Sequence, residues 1–214
     1  MNETTDSSSK SYILSNGLEL CKTSIPILDI VLFEIQKSLN DVLDEKGKIS
    51  NIKFENEQFL THGLAWVATY ITCLKQLVSW AEHLHVQGKF NLAEKLILQI
   101  GFGEYLAQLK GGIQMSPSEI IRLEQFNLSK EKIATFDSEP IQTLIIAGNC
   151  DDARRELVDC LKEKINLANY CESGLSLENE TIRDAFFRFS REKILPNAHK
   201  WHLNNELIPI DLIQ

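Results

Sequence analysis

The histidines of this chain form two close pairs whose spacing could suit metal ligands or proton-transfer groups. His199 and His202, in the segment H-K-W-H, lie three apart and could face the same side of a helix. His83 and His85 lie two apart and point to different sides of a helix. Because no third ligand of the usual type lies near His199 and His202, the spacing predicts no metal site.

The cysteines, at positions 21, 73, 150, 160 and 171, form no C-x-x-C pair, and their odd number leaves one without a disulfide partner. A reducing compartment is the simple interpretation, so we expect a cytoplasmic protein. The spacing of Cys150, Cys160 and Cys171 would also suit a metal or redox site. Buried thiols on one helical face explain the same spacing, and this is the interpretation that we favour.

The stretch G-F-G-E-Y, from Gly101 to Tyr105, has some features of a glycine-rich phosphate loop. It has only two glycines, follows no strand and lies within a helical pattern, so it favours close packing between helices. Histidines and carboxylates elsewhere permit a general base in principle, but spacing does not show which of them converge. The residues themselves therefore predict no catalytic, cofactor-binding or metal-binding site.

The segment S-P-S-E carries a strong local signal for a helix start. Ser116 could cap the helix, and Pro117 suits its first position. The Glu119 carboxylate could return a hydrogen bond to the amide of the capping residue. We therefore expect a helix to begin at Ser116.

Apolar residues at helical spacing account for almost the whole chain. The predicted helices cover 13–47 with a kink or a fresh start at Pro26, 59–84, 90–109, 129–136, 140–147 and 149–171. Gly111 and Gly112 close the third of these helices, and the last ends near Gly174. No stretch alternates apolar and polar residues at strand length, so the sequence predicts an all-α helical bundle.

Charge and hydropathy exclude several kinds of partner. A formal net charge of -8 argues against a nucleic-acid or anionic-membrane surface, which would need clustered lysine and arginine. The opening residues 1–11 form no export signal and are expected to be a disordered tail. The apolar stretch from Leu60 to Ala81 is interrupted by His62, Lys75 and Gln76, so it predicts a buried helix rather than a membrane span.

The chain closes on an amphipathic helix, a proline, and a tryptophan-bearing segment that ends at another proline. The positions that form this pattern are Phe187, Phe189, Arg191, Glu192, Ile194, Pro196, Ala198, Trp201 and Pro209. The pattern resembles the first helices of the amino-terminal domain of flavin-dependent acyl-CoA dehydrogenases, where a helix of the form F-x-R-E-x-I-x-P-x-A occurs. It covers only the last thirty or so positions of the chain.

The stretch from Phe102 to Arg122 is similar to part of a helical extension that precedes the dehydrogenase domains in one branch of that family, the methylsuccinyl-CoA dehydrogenases. After the disordered tail, the resemblance implies a helical-bundle extension at 12–174 and a partial acyl-CoA dehydrogenase amino-terminal helical domain at 175–214. It also implies a truncated chain that lacks the family's β-domain and carboxy-terminal bundle.

The letters S-E-I-I-R, from Ser118 to Arg122, resemble the T-S-E-I-x-R motif near the family's carboxy terminus. Many members of the family carry their catalytic base just upstream of that motif, within E-G-T. Met115 stands at the corresponding place here, and a thioether cannot accept a proton, so no second active site is expected. A duplicated bundle or an unrelated helix cap would each produce these letters, and both explanations stay open.

The resemblance implies FAD as the family's cofactor, with a glutamate that removes the α-proton while the β-hydride passes to the flavin. The family places these parts downstream, so we expect the lone chain to be inactive and to bind no cofactor. The chain could be a truncated non-catalytic portion, half of a split enzyme, or an independent helical interaction module. We expect residues 182–214 to mediate self-association or docking to a separately encoded flavin-binding half.

Overall fold

The computed structural model describes residues 12–162 and 171–213. The predicted disordered tail at 1–11 lies outside the described residues. Contacts divide the chain into two compact units, Met1–Glu172 and Ser173–Gln214. The described fold is all-α with two small antiparallel sheets, which confirms the predicted fold class. The family domains at 12–174 and 175–214 stay predictions, because a division by contacts does not test their origin.

Helix α1, Gly17–Leu43, forms one side of the core of the first unit. It buries a residue at every third or fourth position, and these residues are Gly17, Cys21, Ser24, Leu28, Val31, Ile35, Leu39 and Leu43. Pro26 lies on the exposed side of α1, and the helix does not restart there. Because Pro26 is exposed, water can bond the carbonyl that its missing N–H leaves without an intrahelical partner.

A short hairpin follows α1, and its strands are β1, Asp44–Glu45, and β2, Lys48–Ile49. Lys46 and Gly47 in its turn both have positive φ values, 56° and 81°. Two consecutive turn residues with positive φ give the turn a backbone twist that matches the twist of the two flanking strands. The helix predicted to reach Gly47 therefore ends earlier, at Leu43.

Helix α2, Asn51–Asn56, leads into α3, Gln58–Val86, which confirms the long helix predicted at 59–84. One stripe of α3 is fully buried and consists of Gly63, Val67, Ile71, Leu74, Val78, Ala81 and Leu84. A second stripe is half-buried and consists of Trp66, Tyr70, Leu77 and Trp80. Among the helices that the structure describes, none is both long and apolar enough to cross a bilayer.

Helix α4, Leu92–Gly111, contacts both α1 and α3 and is buried on most of its surface. Glu94 stabilises the first turn of α4, because Glu94 Oε2 accepts a hydrogen bond from the Asn91 amide at 3.1 Å. The helix ends at Gly111 and is followed by the capping residue Gly112, which has a φ of 120° that few other residues adopt, as the glycine pair predicted.

Gln99 is a fully buried polar residue on α4. Its Oε1 accepts a hydrogen bond from the Leu14 amide at 3.1 Å. Its Nε2 donates to the Tyr12 carbonyl at 2.8 Å and to the Gly148 carbonyl at 3.0 Å. One amide side chain thus holds the start of the described chain and the turn at Gly148 on the same helix, with its buried polar atoms satisfied.

The segment predicted to start a helix at Ser116 forms a β-hairpin, so that prediction is wrong. Strand β3, Ile113–Ser116, pairs antiparallel with β4, Glu119–Ile121. Ser116 Oγ accepts a hydrogen bond from the Ser118 amide at 3.3 Å. The hydroxyl that was expected to cap a helix therefore stabilises the turn between the two strands.

Packing against α3 explains why the hairpin forms. Ile113 and Ile121 are opposite each other in the hairpin, and both are buried. A Cβ added at Gly63 of α3 would lie 2.5 Å from Ile121 Cγ1, so Ile121 fills the space beside this glycine. Burying one such side chain contributes about 1.5–3 kcal/mol. Two of them outweigh a helix cap, which is worth about 0.5–2 kcal/mol.

Short helices complete the first unit. They are a 3-10 helix at Leu123–Phe126, α5 at Lys130–Ile133, a 3-10 helix at Ala134–Asp137, α6 at Glu139–Thr143, a π-helix at Leu144–Gly148, and α7 at Asp151–Lys162. The short helices predicted at 129–136 and 140–147 are confirmed. The predicted extension of α7 towards Cys171 passes through residues 163–170, which lie outside the described residues.

The second unit is helical as well. It contains α8 at Leu177–Phe189, a π-helix at Ser190–Ile194, α9 at Leu195–Leu203, and a 3-10 helix at Ile210–Leu212. Ser176 caps α8, because its Oγ accepts a hydrogen bond from the Asn179 amide at 3.3 Å. None of the described residues of this unit is buried.

Candidate functional site

A hydrogen-bonded network centred on Glu104 joins α3, α4 and the start of α7. The Tyr70 hydroxyl donates to Gln108 Oε1 at 2.8 Å, and Gln108 Nε2 donates to Glu104 Oε1 at 2.8 Å. Glu104 Oε2 accepts from Asn149 Nδ2 at 3.0 Å and from Arg154 Nη2 at 2.8 Å. Arg154 Nε also donates to Asn149 Oδ1 at 2.8 Å, so the network closes on itself.

The pKa values of Glu104 and Tyr70 are both shifted away from neutral pH, so neither group is suited to proton transfer there. The pKa of Glu104 is lowered by hydrogen bonds from Gln108 and Asn149, with the charge of Arg154 adding to them against some desolvation. Burial, and then the neighbouring Tyr105 and Glu104, raise the pKa of Tyr70. A carboxylate with a lowered pKa is a weak base, so this network is suited to fixing three helices together.

Gly103 allows the network to form, because it lets α4 approach the turn before α7. A Cβ at Gly103 would lie 2.4 Å from the Leu144 carbonyl oxygen and 2.5 Å from Asn149 Cβ. The whole G-F-G-E-Y stretch lies inside α4, and Gly103 is buried there. The interpretation of these glycines as close helix packing is therefore confirmed, and the stretch is not a phosphate loop.

A row of rings extends the network along α3. Trp66 Nε1 donates to His62 Nε2 at 2.9 Å, and the Trp66 and Tyr70 rings meet edge to face at 6.1 Å. The Tyr70 and Tyr105 rings lie 4.5 Å apart. Aromatic pairs at such distances contribute about 0.5–1.5 kcal/mol each.

Sequence reasoning missed both the network and the ring row. Partners in the network lie 38, 45 and 50 positions apart, at Tyr70 and Gln108, at Glu104 and Asn149, and at Glu104 and Arg154. Periodicity reports neighbours on one helix only, so no local pattern could have shown these contacts. Only the i, i+4 spacing of His62, Trp66 and Tyr70 was visible in the sequence.

The residues that resemble the family's carboxy-terminal motif lie on the hairpin of β3 and β4. Glu119 is exposed there, and Met115 is half-buried and packs against the core. Since no helix starts at Ser116, a helix cap no longer explains the shared letters.

Two of the clefts on the described part of the first unit lie at helix ends. One of about 440 Å³ opens at the start of α1 and includes Asn16, Glu19, His85 and Lys95 in its lining. The other, of about 640 Å³, lies between the end of α1 and the start of α3, and its lining includes Leu39, Leu43, Ile49, Phe54, Phe59 and Leu64.

A flavin ring and its pyrophosphate would need several polar partners at one site. Within the described residues, a single buried side-chain polar atom lacks a hydrogen-bond partner, and this atom is Ser138 Oγ. Ser138 does not line either cleft. We therefore derive no chemical step through FAD from these residues.

The histidine pairs lie on exposed surfaces of their helices. His83 and His85 are exposed in the last turn of α3, and a hydrogen bond of 2.9 Å joins His83 Nε2 to Gln87 Nε2. His199 and His202 are exposed on α9. In the part of the chain that the structure describes, no three or more histidine, cysteine or acidic side chains are grouped to hold a metal ion.

The cysteines differ in exposure. Cys21 is buried, and burial raises the pKa of its thiol far above the usual range, whereas Cys73 is exposed. Cys150, Cys160 and Cys171 are half-buried, so the prediction that they are buried thiols is wrong. Residues 163–170 separate Cys160 from Cys171 and lie outside the described residues, so the shared helical face stays a prediction.

The second unit exposes many large apolar side chains, which we call the apolar tail surface. They are Leu175, Leu177, Ile182, Phe186, Phe187, Phe189, Leu195, Leu203, Leu207, Ile208, Ile210 and Ile213. The Arg191 guanidinium lies over the Phe187 ring, 5.7 Å from its centroid. Exposed apolar patches of this kind often mark interaction sites.

Comparison with known proteins supports the resemblance read from the sequence. The chain is 38% identical over 202 residues to (2S)-methylsuccinyl-CoA dehydrogenase of Cereibacter sphaeroides. The match covers 94% of this chain and 36% of that protein, so the chain spans about a third of the length of this relative. No protein-family model matches the chain. The predicted resemblance is thereby confirmed, because the chain is similar over nearly its whole length to an acyl-CoA dehydrogenase.

Proposed function

We propose that this chain is a helical, non-catalytic portion of an acyl-CoA dehydrogenase, an oxidoreductase that acts on the CH–CH bond of acyl-CoA thioesters. The observation that carries the proposal is the 38% identity to part of (2S)-methylsuccinyl-CoA dehydrogenase. On this proposal the substrate of the complete enzyme is a short branched acyl-CoA such as (2S)-methylsuccinyl-CoA. The odd number of cysteines supports a cytoplasmic location.

The surroundings of the carboxylates support a non-catalytic role. Acyl-CoA dehydrogenation needs a base for the α-proton beside a flavin that accepts the β-hydride. Glu104 is held by three side chains and has a lowered pKa. Glu94 is buried and accepts hydrogen bonds from two backbone amides. Glu119 is exposed on a hairpin. These three carboxylates are therefore poor candidates for the base.

The apolar tail surface supports a partner for the second unit. We propose that the flavin-binding portion of the enzyme docks there, through residues 182–214, and that it lies outside these 214 residues on the same or another polypeptide. Burial of apolar surface contributes roughly 25 cal/mol per Å², so a few hundred Å² would favour docking after the cost of association. A second copy of this chain is the alternative occupant of the same surface.

A chimaera tests this function. In it, the present chain replaces the matching region of (2S)-methylsuccinyl-CoA dehydrogenase, and the control is that enzyme with the matching region deleted. We expect the chimaera to purify with FAD and to oxidise (2S)-methylsuccinyl-CoA with an electron acceptor. We expect the chain alone to show neither flavin absorbance nor turnover. Stoichiometric FAD on the chain alone, turnover by it, or a folded chimaera without activity would each overturn the proposal.

A further inference from the structure

The amide, the carbonyl and the carboxylate of Glu172, the last residue of the first unit, each contact a side chain of that unit. The Glu172 amide donates to Glu94 Oε1 at 3.0 Å, and its carbonyl accepts from Trp80 Nε1 at 3.2 Å. Its carboxylate pairs with Lys89 Nζ at 3.3 Å. We call Trp80, Lys89 and Glu94 the Glu172 socket. They come from α3, from the turn after it, and from α4, and two of the three contacts bind backbone atoms.

Burial of Glu94 makes this contact more than an incidental surface bond. The Glu94 side chain is 2% exposed, and a buried carboxylate is unfavourable unless donors satisfy its oxygens. The donors that the structure shows are two amides, from Glu172 and from Asn91 at the start of α4. Release of Glu172 would therefore leave one oxygen of a buried carboxylate without its donor.

The residue after Glu172 belongs to a different set of contacts. Ser173 Oγ donates to Glu180 Oε1 at 3.0 Å and accepts from the Leu175 amide at 3.2 Å. Both partners lie in the second unit. The last residue of one unit and the first residue of the next thus form hydrogen bonds with separate sets of partners.

We propose that the Glu172 socket is a releasable latch that recognises the backbone of its own chain and fixes the end of the first unit. Because its three contacts converge on one residue, they open together. Opening of the latch is a local step that occurs without unfolding of α3 and α4. This device does not rest on the function proposed above.

Hydrogen exchange measured by NMR on the full chain tests the latch. In the unaltered chain we expect hydrogen exchange at the Glu172 amide and at the Trp80 indole N–H to give the same free energy of opening. This free energy should be lower than that for the core amide of Phe102. In Glu94→Gln, which keeps the shape of the side chain, both should exchange at least about tenfold faster, since a charge-assisted hydrogen bond is lost. The Phe102 amide should be unchanged. Lys95→Met, an exposed neighbour outside the socket, is the matched control.

Two further variants keep the proposal testable if Glu94→Gln does not fold. Trp80→Phe removes the indole donor and keeps a ring, so the Glu172 amide should still exchange faster. Lys89→Met removes only a half-exposed ion pair, so its effect should be smaller than that of Trp80→Phe. Two results would overturn the latch. One is a different free energy of opening for the Glu172 amide and the Trp80 indole N–H in the unaltered chain, and the other is an unchanged exchange rate of the Glu172 amide in Trp80→Phe.

Discussion

Replacing Gly103 by alanine should separate the middle of α4 from the turn that leads into α7. The added Cβ would lie 2.4 Å from the Leu144 carbonyl oxygen and 2.5 Å from Asn149 Cβ. Ordinary contact begins at 3.4 Å, so the two backbones must move apart by about 1 Å, the difference between 3.4 and 2.4 Å. The obstacles are a carbonyl and a Cβ, which no change of rotamer can move aside.

The expected loss of stability follows from three contributions. Overpacking costs about 1–3 kcal/mol. Stretching the hydrogen bond of 3.0 Å between Asn149 and Glu104 costs about a further 0.5–1.5 kcal/mol. Alanine offsets about 0.5–1 kcal/mol of this, because glycine is the poorer helix former. We therefore expect Gly103→Ala to lower the free energy of unfolding by about 2 kcal/mol, the sum of the middle values.

Urea unfolding followed by circular dichroism measures this change, with Gly111→Ala as the matched control on the same helix. A Cβ at Gly111 would meet no atom within 4 Å, so this variant should be as stable as the original chain or slightly more stable. If Gly103→Ala matched Gly111→Ala in stability, the packing explanation of G-F-G-E-Y would be wrong.

Three other predictions concern charge, thiols and association. Because the pKa of Glu104 is lowered in the folded chain, the original chain should be more stable than Glu104→Gln at neutral pH, and this difference in stability should be lost as pH falls through the folded-state pKa. Urea unfolding midpoints of both proteins across acid pH measure the difference, and a difference that stays constant with pH would contradict the prediction. Cys73 should react with a thiol reagent in the native chain, whereas Cys21 should react only after unfolding, and mass spectrometry of digested peptides distinguishes the two. Without a flavin-binding portion, the full chain should self-associate in sedimentation experiments at concentrations where a chain ending at Gly174 stays monomeric; a concentration-independent monomer of the full chain would count against docking at the apolar tail surface.

The long helices were predictable because their signal is local. The stripe from Val67 to Leu84 on α3 repeats at helical spacing and is buried as expected. The glycine pair at the end of α4 was equally clear, since Gly112 takes a φ that few other residues adopt. In these elements, the residues that specify the helix are close to one another in sequence.

The hairpin and the Glu104 network were not predictable for the opposite reason. Strands of four and three residues are too short to show alternation, and the local letters of S-P-S-E favoured a helix. What decides the structure is the fit of Ile121 beside Gly63, a contact between residues far apart in sequence. The partners of Glu104 at Asn149 and Arg154 are equally distant, and only the folded chain brings them together.

The amide of Gln99 has a consequence for the order in which the chain folds. Its three hydrogen bonds span 85, 87 and 49 positions, to Leu14, Tyr12 and Gly148. Long loops must close before these bonds can form, whereas α3 and α4 follow each other directly and can pair early. Contacts that form after the transition state change the unfolding rate more than the folding rate. We therefore expect replacement of Gln99 to speed unfolding of the native bundle more than it slows folding, because its bonds hold segments that can join only after the central helices have met.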